Sequence, residues 1–422
     1  MPNQMHNRVF YGVYQAGVCQ PSTDDGNITE IHGLQNVGTN ASFSLDNVNE
    51  IGQTETYEII ENVPTIELTT EKVLDGYPPV YILATKTATA PTLASRANVA
   101  GDAGLFLSIF DEGDEYAVSG ANPQSEVFVS GAQVASVSYT IPVDGNMTES
   151  VSFTAKSQKW VKNGVFRFTG AFTNADSPQA IACSGGVQRR ENLLFNYAGR
   201  PASADAAFRS STGFTNGAGG LVDPNGGIVC PSGTVLPGVE GGRVWGITSS
   251  GTNFLDQAFR ARVQNITVST SFNRTDQFEL GRRLKYNQYA NLPVEVTCGI
   301  EVVSTSGNMV DITEEGTVDA LCGGGYASCS SGGNLANQTI KIATCDGTRL
   351  NLRYKNKLSS VSEDGGGADG GVRTITYNYT NFNALTVTHY NDPNTDHSKS
   401  GSNVHAWLNW YMFDQSTTPP LS

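Results

Sequence analysis

The sequence predicts an all-β fold, and its composition and residue periodicity both indicate this class. The chain has 422 residues, of which 46 are glycine and only 16% are charged, and it is rich in Ser, Thr and Asn. β-Branched and aromatic residues favour strands, whereas Gly, Asn and Asp supply turns. This length is sufficient for two or three domains, each with its own core.

Alternating apolar and polar residues locate several strands. Apolar residues alternate with polar or small ones from Val294 to Val302 and from Val137 to Val143. Such alternation is typical of a strand with one buried face. Pro142 is expected at the end or the edge of its strand, because proline lacks the amide hydrogen of a ladder bond. Shorter strands are expected at residues 340–342 and 385–388.

Helix is expected to be scarce. Residues 75–85 fit a short helix with prolines in its first turn, and they fit equally well a proline-containing loop that enters a strand. Residues 47–51 and 276–280 each predict a single helical turn, ended by Gly52 and Gly281.

One segment of the chain occurs twice. Residues 34–64 and 263–293 align without a gap at an offset of 229, and nine of the 31 pairs are identical. Chance gives about two identities at average residue usage. A second pair of blocks, residues 134–138 and 358–362, matches at an offset of 224, and a turn-rich segment follows each. The order and spacing predict a duplicated domain, although any two β-hairpins share some apolar pattern.

The repeat divides the chain into three regions. We predict a first domain at residues 1–175, a Gly/Ser-rich connector or insertion at 176–259, and a second domain at 260–422. The middle region is long for a loop, so it is expected to be irregular but locally ordered.

Charge and cysteine content exclude some classes of protein. The formal net charge is −14 and no run of Lys and Arg exceeds two residues, which argues against a protein that grips nucleic-acid phosphates. The seven cysteines form no CxxC pair, which argues against a disulfide framework or structural zinc and favours reduced thiols, with a Cys322–Cys329 bridge left open. No signal peptide or membrane-spanning stretch is expected.

No catalytic, cofactor-binding or metal-binding residue is predicted. His389, Asp392, Asp396, His397 and His405 are residue types that bind metals, but their spacing favours a surface loop. Residues 363–371 lack the alternating carboxylates of a calcium loop and favour a hairpin tip. The sequence contains no nucleophile elbow and no phosphate-binding loop.

The duplicated block resembles the major tail tube proteins of long-tailed bacteriophages. The resemblance lies in residues 272–281, Tyr286 and 291–298, and in residues 36–45, 50–52 and 71–76 of the first copy. Residues 131–140 and 144–149 resemble the long hairpin of that family, and residues 355–362 resemble its counterpart in the second copy.

The resemblance implies two tandem tail-tube β-sandwich or barrel domains with long hairpins. It implies a structural virion protein, not an enzyme, that forms rings, expected as homotrimers with pseudo-hexameric symmetry. These rings stack into a hollow tail tube that conducts the genome without specific binding. The implied partners are other copies of the chain and the tape-measure, terminator, and baseplate or tip proteins. The implied place is the virion tail, after assembly in the host bacterial cytoplasm, with no membrane and no cofactor.

Two groups of residues are candidates for the ring contacts that the resemblance implies, or alternatively for turns and core packing within each domain. The candidate subunit joints or turns are Phe43, Glu50, Gly52, Tyr57, Pro64, Phe272, Glu279, Gly281, Tyr286 and Pro293. The candidate barrel hairpins carry Val137, Tyr139, Asp144, Gly145, Val361, Gly366 and Tyr377.

Two other functions remain open. A receptor- or carbohydrate-binding β-sandwich of a virion would present exposed aromatic residues, and residues 407–413 are rich in them. A tail-associated hydrolase would depend on residues such as His389 or Asp396.

Overall fold

The computed structural model describes residues 13–19, 28–86, 88, 90–99, 103–110, 123–162, 186–198, 228–230, 234–237, 262–303, 339–344, 346–353, 355–365 and 373–391. Antiparallel strands dominate these ranges, which confirms the all-β class. They also contain helices α1 (Val80–Ala84) and α2 (Leu93–Ala97), and a 3-10 turn at Arg190–Asn192. The strands are β1 (Val13–Cys19), β2 (Thr29–Glu30), β3 (Leu34–Ser42), β4 (Leu45–Asn49), β5 (Thr56–Glu61), β6 (Thr65–Val73), β7 (Ala103–Phe110), β8 (Ser125–Pro142), β9 (Thr148–Ala155), β10 (Ser157–Lys162), β11 (Leu193–Ala198), β12 (Ile228–Cys230), β13 (Thr234–Pro237), β14 (Arg262–Ser271), β15 (Arg274–Gln277), β16 (Asn287–Ala290), β17 (Glu295–Val303), β18 (Thr339–Thr344), β19 (Thr348–Asn351), β20 (Lys357–Asp364), β21 (Thr374–Phe382) and β22 (Thr386–His389).

A long hairpin is the centre of the fold. Strand β8 has 18 residues and, from its N-terminal end, pairs along one edge first with β10 and then with β9. Its other edge pairs first with β7 and then with β14. The hairpin therefore belongs to two sheet regions, and Gly131, at φ +66°, lies where one passes into the other.

The larger of these regions is a run of eight antiparallel strands in the order β3-β6-β9-β8-β14-β17-β21-β20. Alternate residues face opposite sides, so one face is apolar and the other polar, as the predicted alternation requires. Val296, Cys298 and Ile300 are buried on the apolar face, which confirms the strand predicted there. Strand β8 ends at Pro142, as expected for proline.

A second layer covers the apolar face. It consists of α1, α2 and the four-stranded sheet β11-β18-β19-β22, and its apolar residues share one core with the large sheet. Strand β11 lies in the region predicted as an irregular connector, yet it pairs with β18 along six residues. The two layers meet as a sandwich.

Two local predictions are corrected by the structure. Residues 47–51 and 276–280 do not form helical turns, because β4 and β15 pair with β5 and β16 as the arms of two hairpins. The glycines ending those segments are turn residues with positive φ. Residues 75–85 do contain a helix, α1, which starts directly after Pro79.

The bend in β8 generates a stability prediction. A Cβ at Gly131 would lie 2.6–2.9 Å from the side chain of Lys156, and φ is positive there. We expect Gly131→Ala to lower the free energy of unfolding by about 1–3 kcal/mol, from backbone strain and crowding. Gly145→Ala is the control, because its φ is +110° but its Cβ meets nothing closer than 3.8 Å. Urea unfolding midpoints compare the two, and an equal loss in both would exclude the crowding contribution.

Candidate subunit interface

The eight-stranded run consists of two four-stranded units with the same internal order. The first unit is β3-β6-β9-β8 and the second is β14-β17-β21-β20. In each unit the first strand carries a register shift at an equivalent residue, Gln35 or Gln264. The last strand carries one at Ala135 or Ser359. Units with the same order and the same irregularities have equivalent edges.

The two units meet at an internal junction between β8 and β14. Seven residue pairs extend from Asn265↔Pro142 to Ser271↔Ser136. Backbone hydrogen bonds from Val143 to Gln264 (2.7 Å) and from Phe272 to Ala135 (2.7 Å) extend the ladder at both ends. The last strand of one unit thus pairs with the first strand of the next.

Two side chains that follow β14 fix this junction. The Phe272 ring is 2% exposed and stacks against Tyr81 of α1 at 6.4 Å between centroids. The guanidinium of Arg274 donates to the carbonyl oxygens of Val134 (2.6 Å) and Ala97 (3.0 Å). These contacts hold the second hairpin, residues 274–290, against the first unit. The sequence analysis did not identify Arg274 as a contact residue.

A buried carboxylate positions the helix that receives Phe272. Glu149 of β9 accepts hydrogen bonds from the backbone amides of Val80 (2.6 Å) and Tyr81 (3.3 Å) and from the hydroxyl of Tyr139 (2.8 Å). Burial raises the pKa of the Glu149 carboxyl, while these donors and the Lys72 ammonium oppose the rise. The same burial and the neighbouring carboxyl raise the pKa of Tyr139. Tyr139 was predicted as a hairpin residue, whereas Glu149 was missed because a lone Glu in a strand gives no pattern.

The outer edges of the two units have no partner strand among the described residues. Strand β3 pairs only with β6, and β20 pairs only with β21, within those ranges. Residues at these outer edges are more exposed than the equivalent residues at the internal junction. Phe43, the equivalent of Phe272, is 60% exposed, and Leu358 and Val361 are only partly buried, unlike their equivalents Val134 and Val137.

The polar face of the eight-stranded run is lined by small hydroxyl and amide side chains. Cross-strand contacts include Ser136 with Ser152 (2.6 Å between oxygens) and Ser269 with Thr297 (2.7 Å). The only basic side chain described on this face is that of Lys357, at one end. The carboxylates on it are Glu67, Glu71, Glu295, Glu301 and Asp364. Most described side chains on this face are therefore small, polar or acidic, and the exposed Phe382, which pairs with Glu295 at one end, is a large apolar exception.

Two hairpins extend the sheet beyond the same end. The first hairpin, residues 45–61, follows β3, and the second hairpin follows β14. Each turn holds Glu-x-Gly, with Gly52 at φ +92° and Gly281 at φ +84°, and the residue between is the fully exposed Ile51 or Leu280. Tyr57 and Tyr286 are exposed on the hairpins, as are Glu50 and Glu279, and Pro64 and Pro293 lie where the chain returns to the sheet.

The predicted barrel-hairpin residues separate into core and turn positions. Val137, Tyr139 and Tyr377 are buried on the apolar face, and Val361 is partly buried at the outer edge. Asp144 and Gly145 form the exposed turn between β8 and β9, at the end of the sheet opposite the two hairpins. Gly366 lies outside the described residues.

His389 does not lie on a surface loop as predicted. It is fully buried in β22, and its Nε2 lies 3.0 Å from the carbonyl oxygen of Asp346. Asp392, Asp396, His397 and His405, as well as Cys322, Cys329 and the aromatic run at 407–413, lie outside the described residues. Within the described ranges no three His, Cys, Asp or Glu side chains cluster as metal ligands. Cys298 is a free, buried thiol, and burial raises its pKa to about 12.

The equivalent phenylalanines provide a matched test of the internal junction. We expect Phe272→Ala to lower the free energy of unfolding by about 3–5 kcal/mol, because it leaves a cavity against Tyr81. Phe43→Ala removes the equivalent but exposed ring, so it should change the stability of the isolated chain by less than about 0.5 kcal/mol. Urea unfolding of the monomeric chain measures both, and equal losses would contradict the assignment of Phe272 to the junction.

Comparison with known proteins gives little further guidance. No family model and no curated protein matches the sequence. One similar solved structure is titled "Cryo-EM structure of the anti-feeding prophage (AFP) baseplate, 6-fold symmetrised". It matches with 9% identity and a TM-score of 0.27 over 37% of this chain and 98% of that one. A likeness of this extent says nothing about function. Each helix in the described part of the chain has five residues, so none there is long and apolar enough to cross a membrane.

Proposed function

We propose that this protein is a non-enzymatic structural subunit of a phage tail tube, whose copies join edge to edge into rings that stack around the genome. The observation that supports this most is the internal junction. The chain already pairs the last strand of one unit with the first strand of an equivalent unit. Its outer edges, β3 and β20, are a first and a last strand without a described partner.

Repetition of the same contact between chains is a heterologous, head-to-tail association. Such contacts generate closed rings when the rotation closes, and they occupy the exposed edges of the sheet. Because the two units are in one chain, half of the contacts form at high effective concentration.

The number of strands favours three chains in a ring. Three copies of the eight-stranded run give 24 strands and two copies give 16. With strands about 4.8 Å apart and tilted by roughly 40°, these barrels measure about 50 Å and about 30 Å between opposite backbones. Side chains remove ~10 Å from each diameter. A duplex about 20 Å wide then passes freely only through the larger barrel.

The polar face of the sheet suits a lumen for DNA. The second layer covers the apolar face, so only the polar face is free to line a channel. Its carboxylates repel phosphates, and most of its other described side chains are small and polar. With Lys357 as the one basic side chain described on this face, DNA would pass with few of the Lys and Arg contacts that hold it in binding proteins. The proposed location is the virion tail, after assembly in the bacterial cytoplasm, with the terminator, tape-measure, and baseplate or tip proteins as further partners.

An edge-strand variant tests ring formation. By equivalence with β14, the amide of Thr39 points away from β6 toward the free edge, so Thr39→Pro removes a contact between chains and none within the chain. We expect the variant to fold and remain monomeric, whereas the Thr39→Ala control forms rings or tubes in negative-stain electron microscopy. Rings formed equally well by Thr39→Pro would contradict the proposal.

Specific binding of host-surface glycans without any assembly would instead favour the receptor-binding function.

The hairpin tips generate a second prediction, on the stacking of rings. Strands run obliquely along a barrel, so the hairpin end of one ring faces the turn end of the next. We expect the double variant Ile51→Asp and Leu280→Asp to form rings but no long tubes, because each charge is placed in an apolar contact. Thr54→Asp adds a charge beside the same turn and serves as the control. Tubes of normal length from the double variant would contradict a stacking role.

A further inference from the structure

The internal junction predicts the register of the junction between two chains. Along β14 and β8, paired residue numbers sum to 407. The equivalences defined above shift β14 to β3 by 229 residues and β8 to β20 by 224. Paired residues of β3 and β20 then sum to 402. Asn40 of one copy falls opposite Ser362 of the next, and Ala41 falls opposite Val361.

The faces on which the paired residues lie agree with this register. Asn40 and Ser362 are exposed and correspond to Ser269 and Ser138 on the polar face. Val361 lies on the apolar side and corresponds to Val137. A slip of one residue would place Val361 opposite a polar-face residue, because successive side chains point to opposite faces.

The exposed apolar residues of both edges fall together in this register. Phe43 lies opposite Ser359, next to the partly buried Leu358, as Phe272 lies opposite Ala135. Leu45, at the position of Arg274, falls beside Leu358, and both are at least partly exposed in the single chain. Pairing of β3 with β20 therefore covers these apolar side chains, as the pairing of β14 with β8 covers the equivalent residues inside the chain.

The predicted junction is also more polar than the internal one at its centre. Thr39 falls opposite Glu363, where the internal junction has Val268 and Tyr139 buried. Glu363 forms an exposed ion pair with Arg373 in the same chain. An edge that faces water before assembly is expected to carry such charges, because an exposed apolar edge aggregates.

We propose that a second copy of this chain docks its β3 edge and Phe43 on β20 with Asn40 opposite Ser362, a register that rests on the proposed ring. Disulfide trapping in the full chain tests it. In antiparallel sheets, pairs without mutual hydrogen bonds lie closest, and Asn40–Ser362 is such a pair by equivalence with Ser269–Ser138. Its expected Cα separation lies within the range of disulfides.

The variant Asn40→Cys with Ser362→Cys should form covalent dimers and trimers on mild oxidation, seen on non-reducing gels. Asn40→Cys with Ser360→Cys and Asn40→Cys with Asp364→Cys test slips of two residues on the same face, and should cross-link at least tenfold more slowly. The four variants with one added cysteine each, Asn40→Cys, Ser360→Cys, Ser362→Cys and Asp364→Cys, control for cross-links to native thiols. Phe43→Ala in the trapping background should reduce the rate of cross-linking, without loss of monomer stability.

The outcomes separate the register from the ring. Rings in electron microscopy with faster trapping of either slipped pair, or with no trapping of Asn40→Cys with Ser362→Cys, would overturn this register and leave the ring standing. Absence of both rings and cross-links at high protein concentration would overturn the proposed function and the register together.

Discussion

The pairing of β8 with β14 is the contact on which the rest of this structure depends. It joins the two units into one continuous run of eight strands. It also leaves the chain with one first strand and one last strand at its outer edges. The backbone amides and carbonyls of an edge strand have no protein hydrogen-bond partner until another strand pairs with it, and the β8–β14 contact shows the geometry of such a pairing in this fold.

Buried polar groups hold the internal junction in place. Glu149 fixes the start of α1 through two backbone amides, α1 presents Tyr81, and Tyr81 receives Phe272. Loss of one partner would leave a buried donor or acceptor unsatisfied, which costs more than the bond contributes. In the second unit, Glu363 and Ile375 occupy the positions of Tyr139 and Glu149, so the hydrogen bonds of Glu149 are not repeated there. The internal junction is thus specialised, whereas the outer edges remain suited to water.

The two faces of the large sheet have different physical roles. The apolar face forms the core with the second layer, so substitutions there act on stability. The polar face carries hydroxyls and carboxylates that no described layer covers. Such a face is costly to pack against apolar surface, and it is therefore more suited to water than to a protein core.

The sequence alone determined the all-β class, the repeat and several strands, because strand alternation and Glu-x-Gly turns are local patterns. It failed at residues 47–51 and 276–280, where pairing across a hairpin outweighed local helical preference. Only the tertiary structure separated Phe43 from Phe272, which occupy equivalent positions of the repeat yet differ in burial because just one has a neighbouring unit in the same chain. Only it revealed Arg274 and Glu149, since their roles depend on backbone groups more than 65 residues away.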